Sequence, residues 1–383
     1  MSITETPEPA PPESPRPERL LSIDALRGFD MFWIVGGGRL VRAIGKWWGT
    51  PAGQNLHDQF EHVGWEGFHF YDLIFPLFLF VVGVVLPFSL KKYQTGDHSK
   101  AAALARISRR VVLLFLLGLI GNGLLQLEFE HLRVTGVLQR IAICYGLAAV
   151  IFLFTTTRTQ AILVAAILLG YWGILSFVPV PGGTAGDLTK EHNLGGYIDR
   201  HYLPGEIKQG IYGYGDNEGL LSTLPAVATA LLGVLAGGWL LSRYSPWAKV
   251  LALIAAGAAC LSAGALWGLR FPVIKILWTS SYVLIAGGWS LILLGLFYAV
   301  IDVLKLRAWS FFFVVIGVNA VTIYMAVRII PFDRIAGFFF GGLARRMEAF
   351  SPSSGAIVGA LGILTVEWLF LLYLYRRRIF LRV

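Results

Sequence analysis

The chain has 383 residues, of which 56% are hydrophobic and 14% are charged, whereas about 25% of the residues of a typical soluble domain are charged. This composition excludes an ordinary soluble enzyme. The formal net charge of +9 therefore bears on membrane orientation and not on nucleic-acid binding, which we do not expect. The first predicted element, residues 1–19, is rich in proline and acidic residues and has no apolar core. It is typical of a disordered cytoplasmic tail and not of a cleaved signal peptide.

Apolar runs of about 20 residues follow along the rest of the chain, each long enough to cross a hydrocarbon core about 30 Å thick. We predict an all-α fold, a polytopic membrane helix bundle of about ten transmembrane helices, in which residues 20–383 form a single domain embedded in the lipid bilayer. The predicted spans are residues 21–44, 68–90, 111–127, 137–156, 160–178, 219–241, 250–268, 277–301, 310–330 and 355–375.

Basic residues indicate the orientation of these spans. An even number of spans places both termini on one face of the membrane, and the densest lysine and arginine clusters lie on that face. Because positive charge accumulates in cytoplasmic loops, we predict that both termini are cytoplasmic. The long connection over residues 179–218 then lies outside.

The first predicted helix carries charges near a membrane boundary. Asp24, Arg27 and Asp30 are three residues apart and share one helical face, so the arginine can pair with either carboxylate. Three consecutive glycines, residues 36–38, are poor helix formers. They indicate a break, the close approach of another backbone or a ligand, or tight packing through small residues.

The segment EHVGWEGFHFYDLIFPLFLF, residues 61–80, places histidines and carboxylates at the start of the second predicted span. Pro76 cannot donate the hydrogen bond that the carbonyl of Asp72 would accept in a helix. An unpaired carbonyl in lipid is costly, so this face should point into a protein cavity or toward water. A histidine oriented by a carboxylate can act as general base or nucleophile near neutral pH, which makes His62 with Asp72 the candidate catalytic pair. Structural capping equally explains His69, and proton-coupled transport fits these residue types almost as well as catalysis.

An ordered set of sequence blocks carries a family resemblance. RLLSIDALRGFDMF, HVGWEGFHFYDLIFPLFLFVVG, LRVTGVLQRIAICYGLAAV, GGYIDRHYL and DNEGLLSTLPAVATALLGVLAG, followed by PVIKILWTSSYVL and GVNAVTIYMA, resemble the heparan-alpha-glucosaminide N-acetyltransferase family, including its bacterial members. The resemblance implies transfer of an acetyl group from cytoplasmic acetyl-CoA to the amino group of a glucosamine across the membrane, without a metal. It also implies a homodimer in a bacterial inner membrane, with His62 and Asp72 at the family's catalytic positions and the acceptor on the periplasmic side.

Donor-binding candidates are basic or polar residues near the ends of spans. Arg109 and Arg110 enter the membrane on the predicted cytoplasmic side, where guanidinium groups suit phosphate, although positive-inside anchoring also explains them. Gln139 and Arg140 stand in the family block GVLQR, where an arginine should pair with a carboxylate or a ligand. Arg27 completes this set.

Acceptor-binding candidates are polar residues predicted to lie outside, where they can exchange hydrogen bonds with sugar hydroxyls or belong to ordinary solvated loops. They are Glu66, His69, Asp199, Asp216, Asn217, Glu218 and, within an apolar span, Asn319. One position departs from the resemblance. Many relatives have an asparagine shortly before the glycine turn, where this chain has Ile34, which cannot form hydrogen bonds.

Two other readings stay open at this stage. The acylated group can be a hydroxyl of another cell-envelope glycan instead of an amine. The chain can also be a transporter of small glycans, but the inverted repeat typical of transporters is not readable in the sequence.

Overall fold

The computed structural model describes residues 20–94, 98–207 and 212–381, and the predicted tail over residues 1–19 lies outside them. The prediction of an all-α polytopic bundle is confirmed. The α-helices of the described residues are α1 (Leu21–Phe32), α2 (Gly38–Trp48), α3 (Pro51–Gln59), α4 (Ile74–Gln94), α5 (Lys100–Gly121), α6 (Val137–Phe154), α7 (Thr157–Phe177), α8 (Leu194–Tyr202), α9 (Leu220–Leu240), α10 (Pro246–Gly268), α11 (Ser280–Phe297), α12 (Ser310–Gly317), α13 (Ala320–Ile329), α14 (Phe332–Glu348) and α15 (Pro352–Arg376).

Within the described ranges, seven helical segments are long and apolar enough to cross a membrane, and an eighth if the bent pair α12 and α13 counts as one span. The predicted spans over residues 21–44 and 111–127 form helices that are richer in charge. Asp24, Arg27 and Asp30 lie in α1, and Arg106, Arg109 and Arg110 lie in α5. The total of ten spans and the side of the termini stay predictions.

Two predicted spans are interrupted. The glycine turn forms a π-helical segment, Trp33–Gly37, between α1 and α2. Tight packing explains it, because a Cβ atom at Gly36 would lie 2.9 Å from a side-chain carbon of Leu364. The predicted span over residues 310–330 was wrong as a continuous helix, since α12 and α13 meet at an angle of 70°. Gly317 and Asn319, both poor helix formers, flank this bend.

Consecutive helices run between two ends of the bundle. Leu21, Asp24 and Arg376 line one cavity, so the start of α1 and the end of α15 lie together at what we call the terminal end. The loop that contains His62 lies between α3 and α4, at the opposite end, which we call the His62 end. The helix ends thus divide the polar residues into two groups.

Close helix packing fixes α4, which carries the residues that follow the His62 loop. A Cβ atom at Gly83 would lie 1.9 Å from the carbonyl oxygen of Ala230, and one at Gly233 would lie 2.0 Å from that of Phe80. Only glycine permits such contact between the backbones of α4 and α9, as is common in membrane helix pairs. This packing gives α4 a fixed position beneath the His62 loop.

Candidate active site

His62 and Asp72 meet as predicted at the corner between loop and helix. His62 Nδ1 lies 2.8 Å from Asp72 Oδ1. The other carboxylate oxygen, Oδ2, accepts hydrogen bonds from the backbone N–H groups of Val63 at 3.4 Å and His69 at 3.1 Å. The histidine side chain is 53% exposed, whereas that of Asp72 is 2% exposed. A fixed, buried carboxylate therefore orients a ring that stays accessible.

A lysine that the sequence reasoning missed completes this cluster. Lys275 Nζ donates to Asp72 Oδ1 at 3.1 Å and lies 3.0 Å from His62 Nδ1. Burial lowers the pKa of Lys275 from its ordinary value, and the nearby Asp72 carboxylate partly opposes that effect. The signal in the sequence was a single lysine within the apolar block PVIKILW. Its meeting with residue 72 depends on tertiary structure.

The backbone carbonyl of Asp72 finds a partner outside its own helix. Pro76, four residues later, cannot donate to it, and the hydroxyl of Tyr282 donates to this oxygen at 2.8 Å instead. Tyr282 is fully buried on α11. The substitution of a side chain for the missing helix bond holds the first turn of α4 against α11.

Three contacts tie the His62 loop to two distant parts of the chain. The backbone N–H of Gly67 donates to the carbonyl of Val273 at 2.8 Å, and Glu66 forms an isolated antiparallel bridge with Ile274. Trp65 Nε1 donates to the carbonyl of Leu188 at 2.9 Å. The contacts with Val273 and Ile274 bring Lys275 to the loop. The contact with Leu188 fixes the loop against the connection between α7 and α8.

A cavity of about 580 Å³ opens in front of His62. Its wall is mainly apolar, and Phe75, Ile276 and Trp278 contribute to it. Its lining also includes polar side chains, among them those of His62, Asp72, Lys190, Asn217, Glu218 and Lys275. A mostly apolar cavity of this size with a few converging polar groups is typical of a site for a small molecule.

Ile34 lines this same cavity. The position at which the resemblance predicts an asparagine thus faces the candidate catalytic pair, and here it adds an apolar surface. Lys190, Asn217 and Lys275 are among the groups on the cavity wall that can donate hydrogen bonds in its place.

The structure separates the donor-binding candidates. Arg109 is exposed in the middle of α5, and the guanidinium of the next residue, Arg110, lies 4.5 Å from the ring centre of Tyr145. Arg27 pairs with Asp24 at 3.7 Å. A cavity of about 650 Å³ at the terminal end is lined by two other arginines, Arg376 and Arg378.

Gln139 and Arg140 lie in the first turn of α6, at the His62 end. Arg140 is buried and donates to the carbonyl of Gly219 at 3.2 Å and to the hydroxyl of Ser222 at 2.5 Å. Its guanidinium also lies 5.0 Å from the ring centre of Trp278. The expected carboxylate partner is thus replaced by a carbonyl, a hydroxyl and an indole ring.

Two acceptor-binding candidates, Asn217 and Glu218, line the cavity. Asp216 instead accepts two hydrogen bonds from Arg133, at 2.7 and 2.5 Å, and Arg133 also reaches Glu218 at 2.5 Å. Burial raises the pKa of Asp216, but Arg133 outweighs that effect and holds it below the ordinary value. The ion pair of Asp216 with Arg133 therefore fixes the loop that places Asn217 and Glu218 on the cavity wall.

The other acceptor-binding candidates have internal roles in the fold. Asp199 accepts from the backbone N–H groups of Asp216 and Leu220, and burial raises the pKa of its carboxyl. His69 Nδ1 contacts the carbonyl of Glu61 at 3.0 Å. Asn319 is buried at the bend between α12 and α13, and Glu66 is exposed on the bridge to Ile274. These side chains are absent from the wall of the cavity as formed by the described residues.

The fold and this cavity define an integral membrane protein with a histidine–aspartate pair of acid–base character at one end of a helix bundle. Residues 19–124 match the model of a family described as a domain of unknown function, DUF5009.

Heparan-alpha-glucosaminide N-acetyltransferase of Homo sapiens is 29% identical over 371 residues, which cover 81% of this chain and 52% of that protein. The protein of the same name from Mus musculus is 28% identical over 373 residues, which cover 82% and 54%. These similarities confirm the resemblance to the heparan-alpha-glucosaminide N-acetyltransferase family. The chain spans about half the length of the curated relatives it matches.

Proposed function

We propose that this chain is a membrane acetyltransferase that moves an acetyl group from acetyl-CoA to the amino group of a glucosamine-type sugar. The observation that carries the proposal is the 2.8 Å contact between His62 Nδ1 and the buried carboxylate of Asp72, at the wall of a cavity of about 580 Å³. The names of the two similar proteins supply the reaction class and the kind of acceptor.

In direct transfer, the amine nitrogen attacks the thioester carbonyl carbon while His62 Nε2 takes the amine proton. Asp72 accepts a hydrogen bond from Nδ1–H, which keeps Nε2 free and stabilises the imidazolium that forms. The C–N bond forms, the C–S bond breaks, and the imidazolium returns the proton to the departing CoA sulfur. The developing oxyanion needs hydrogen-bond donors, and Lys275 and Asn217 are candidates on the cavity wall.

In a two-step variant, His62 Nε2 itself attacks the thioester and carries the acetyl group to the amine. The C–S bond breaks and CoA leaves as the thiolate. The amine then attacks the acetyl carbon, the bond from that carbon to Nε2 breaks and frees the imidazole, and the proton that the amine loses balances the charge of the thiolate. The orientation of the ring by Asp72 serves both routes. A difference in kinetics separates them, since the two-step route releases CoA before the acceptor binds.

The proposal includes a direction. Acetyl-CoA approaches from the cytoplasm at the terminal end, and the acceptor approaches from the periplasm at the His62 end, in a bacterial inner membrane. The basic residues at the terminal end support this orientation. The acetyl group then crosses inside the protein while the nucleotide part of CoA remains on the cytoplasmic side. A homodimer follows from the family resemblance and can be checked by mass in detergent.

The reaction can be tested by incubating the protein with labelled acetyl-CoA and a panel of amino sugars, together with their N-acetylated and O-acylatable analogues. The products are identified by mass spectrometry. We expect label on nitrogen. His62→Ala should lower the rate at least about 100-fold, because a positioned general base contributes that much, while the thermal unfolding midpoint stays near that of the native chain.

The matched control is His201→Ala. His201 is an exposed histidine of α8 whose ring stacks on Tyr197, and its loss should leave the rate unchanged. Full activity of a folded His62→Ala variant would refute the catalytic assignment. A product labelled on oxygen would replace the amine by a hydroxyl acceptor, and absence of any transfer together with glycan uptake into vesicles would favour a transporter.

A further inference from the structure

A smaller cavity adjoins the main one at the His62 end, and we call it the side chamber. Its volume is about 150 Å³. Four residues line both cavities: Val137, Asn217, Glu218 and Tyr324. The side chamber is therefore a branch of the space in front of His62 and not a separate surface pocket.

Two polar atoms in the wall of the side chamber have no partner among the described residues. They are Nε2 of Gln139, a residue 3% exposed, and the buried Oδ1 of Asn217. A buried polar group left without a hydrogen bond is unfavourable. One of these atoms donates and the other accepts, so the complementary ligand offers both functions within a short distance, as hydroxyl groups do.

The packing around Gln139 fixes its amide in the wall. A Cβ atom at Gly118 would lie 2.3 Å from Gln139 Oε1, and one at Gly136 would lie 2.8 Å from it. The opposite wall is braced by Arg328, which donates to the Tyr324 hydroxyl at 2.6 Å and to the carbonyl of Gly121 at 3.1 Å. The chamber is thus preformed by side chains that already hold one another.

The volume of the side chamber and the charge at its opening limit the ligands that it can bind. A cavity of about 150 Å³ accommodates a molecule of the size of benzene, so the side chamber has room for one edge of a pyranose ring with its hydroxyl groups and not for the whole substituted ring. Glu218 stands where the chamber meets the main cavity, and its carboxylate acts to raise the pKa of Lys275. The carboxylate therefore lies within electrostatic reach of the catalytic cluster and offers an acceptor for an amino group.

We infer that the side chamber binds the hydroxyl-bearing edge of the pyranose ring of the acceptor sugar, with the rest of the ring at the junction with the main cavity. Gln139 Nε2 donates to one ring hydroxyl, Asn217 Oδ1 accepts from another, and the amino group passes Glu218 toward His62. The apolar wall of the main cavity is then left for the thioester arm of the donor. This inference rests on the acetyl transfer proposed above and assigns Gln139 to the acceptor instead of the donor.

The binding of the acceptor in the side chamber can be tested by steady-state kinetics of the full chain in detergent, with glucosamine as the acceptor and acetyl-CoA as the donor. Gln139→Leu should raise the KM for glucosamine about 10-fold, which corresponds to about 1.4 kcal/mol, and leave the KM for acetyl-CoA unchanged. Asn217→Ala should also raise the KM for glucosamine and, because Asn217 is a candidate donor to the oxyanion as well, should lower kcat too. A merely structural role of either residue would shift both KM values or neither.

Gln160→Leu is the matched control. Gln160 is also 3% exposed, but it lies in the first turn of α7 at the terminal end and donates to the carbonyl of Thr155. Its loss should not change the KM for glucosamine. If the native chain transfers acetyl and a folded Gln139→Leu variant keeps the native KM for glucosamine, the chamber holds only water and the inference is overturned while the proposed function stands.

If the native chain transfers no acetyl group, the proposed function is refuted. The binding of glucosamine in the side chamber can then be tested separately, by the shift of the thermal unfolding midpoint that glucosamine causes. A stabilisation of the native chain that Gln139→Leu abolishes would support the binding site by mass action. No stabilisation at millimolar glucosamine would overturn it.

Discussion

The ammonium nitrogen of Lys275 lies 3.1 Å from Oδ1 of Asp72, the same carboxylate oxygen that contacts the ring of His62. Lys275 thus shares its partner with the candidate base and acts as a positioning residue. Because burial lowers the pKa of Lys275, its ammonium loses its proton at a lower pH than that of an exposed lysine, whose pKa is about 10.4. The charge that fixes Asp72 is therefore lost on the alkaline side.

We predict that the loss of the charge of Lys275 causes the fall of kcat/KM at alkaline pH. We expect kcat/KM to fall as the pH rises through the lowered pKa of this residue. Lys275→Arg keeps a charge at every accessible pH and should move that limb to higher pH. Lys275→Met should lower kcat/KM about 10- to 100-fold, the value of one hydrogen bond to a charged group. Rates are measured from pH 6 to 10 after subtraction of spontaneous thioester hydrolysis. An alkaline limb that Lys275→Arg leaves in place would contradict this role.

We predict that replacing Ile34 by a polar residue raises kcat. Ile34→Asn places an amide on the wall of the cavity that holds His62, where it can donate to the thioester oxygen. We expect kcat to rise by up to about 10-fold, as one neutral hydrogen bond contributes about 1 kcal/mol. Ile34→Leu is the control for a change of shape, and it should not raise kcat. A lower kcat for a folded Ile34→Asn variant would show that this chain has replaced the amide by another group.

Hydropathy predicted the bundle because span length and apolar composition are local properties. The same reading could not predict that α12 and α13 form a bend of 70°, since that bend depends on how Gly317 packs against the backbone of α1. A Cβ atom there would lie 2.0 Å from the carbonyl oxygen of Asp24. Such close approach is decided by the partner helix and is not visible in the sequence of either one.

The catalytic pair was predictable because ten residues separate His62 from Asp72 across one corner. Lys275 lies more than two hundred positions away from both, and a single lysine in an apolar block does not reveal its partner. The acidic residues near position 216 were recognised as polar and outside the spans. Both Asp216 and Glu218 contact Arg133, and Glu218 lines the main cavity with its neighbour Asn217, whereas Asp216 does not. No spacing rule predicts the contact with residue 133.

Arg133 predicts a loss of stability. Arg133→Met leaves the buried carboxylate of Asp216 without its ion-pair partner, which costs about 3–5 kcal/mol and should lower the thermal unfolding midpoint at pH 7. In the native chain the pKa of Asp216 lies below its ordinary value, so this stabilisation is present above the unfolded pKa of about 3.9 and is lost as the pH falls through the folded pKa.

Without Arg133, burial is the largest influence on Asp216 and raises its pKa, so the variant should gain stability as the pH falls from 7 to 5, a range in which the contribution of Asp216 in the native chain does not change. Arg200→Met is the control, because Arg200 is exposed and donates to the backbone carbonyl of Tyr214. Equal unfolding midpoints for Arg133→Met and Arg200→Met would contradict the prediction.

The last prediction concerns the phosphates of the donor. Arg376 and Arg378 line the cavity of about 650 Å³ at the terminal end, whereas Arg109 is exposed on α5. Since guanidinium groups in a concave site hold phosphate more firmly than those on an open face, the double variant Arg376→Ala, Arg378→Ala should raise the KM for acetyl-CoA about 10-fold, and more than Arg109→Ala, Arg110→Ala does. S-acetyl-pantetheine has no nucleotide, and its KM should be the same in all three proteins. A larger effect of the Arg109 and Arg110 pair would place the phosphates against α5, and a change with S-acetyl-pantetheine would mean that the arginines support the fold and not the nucleotide.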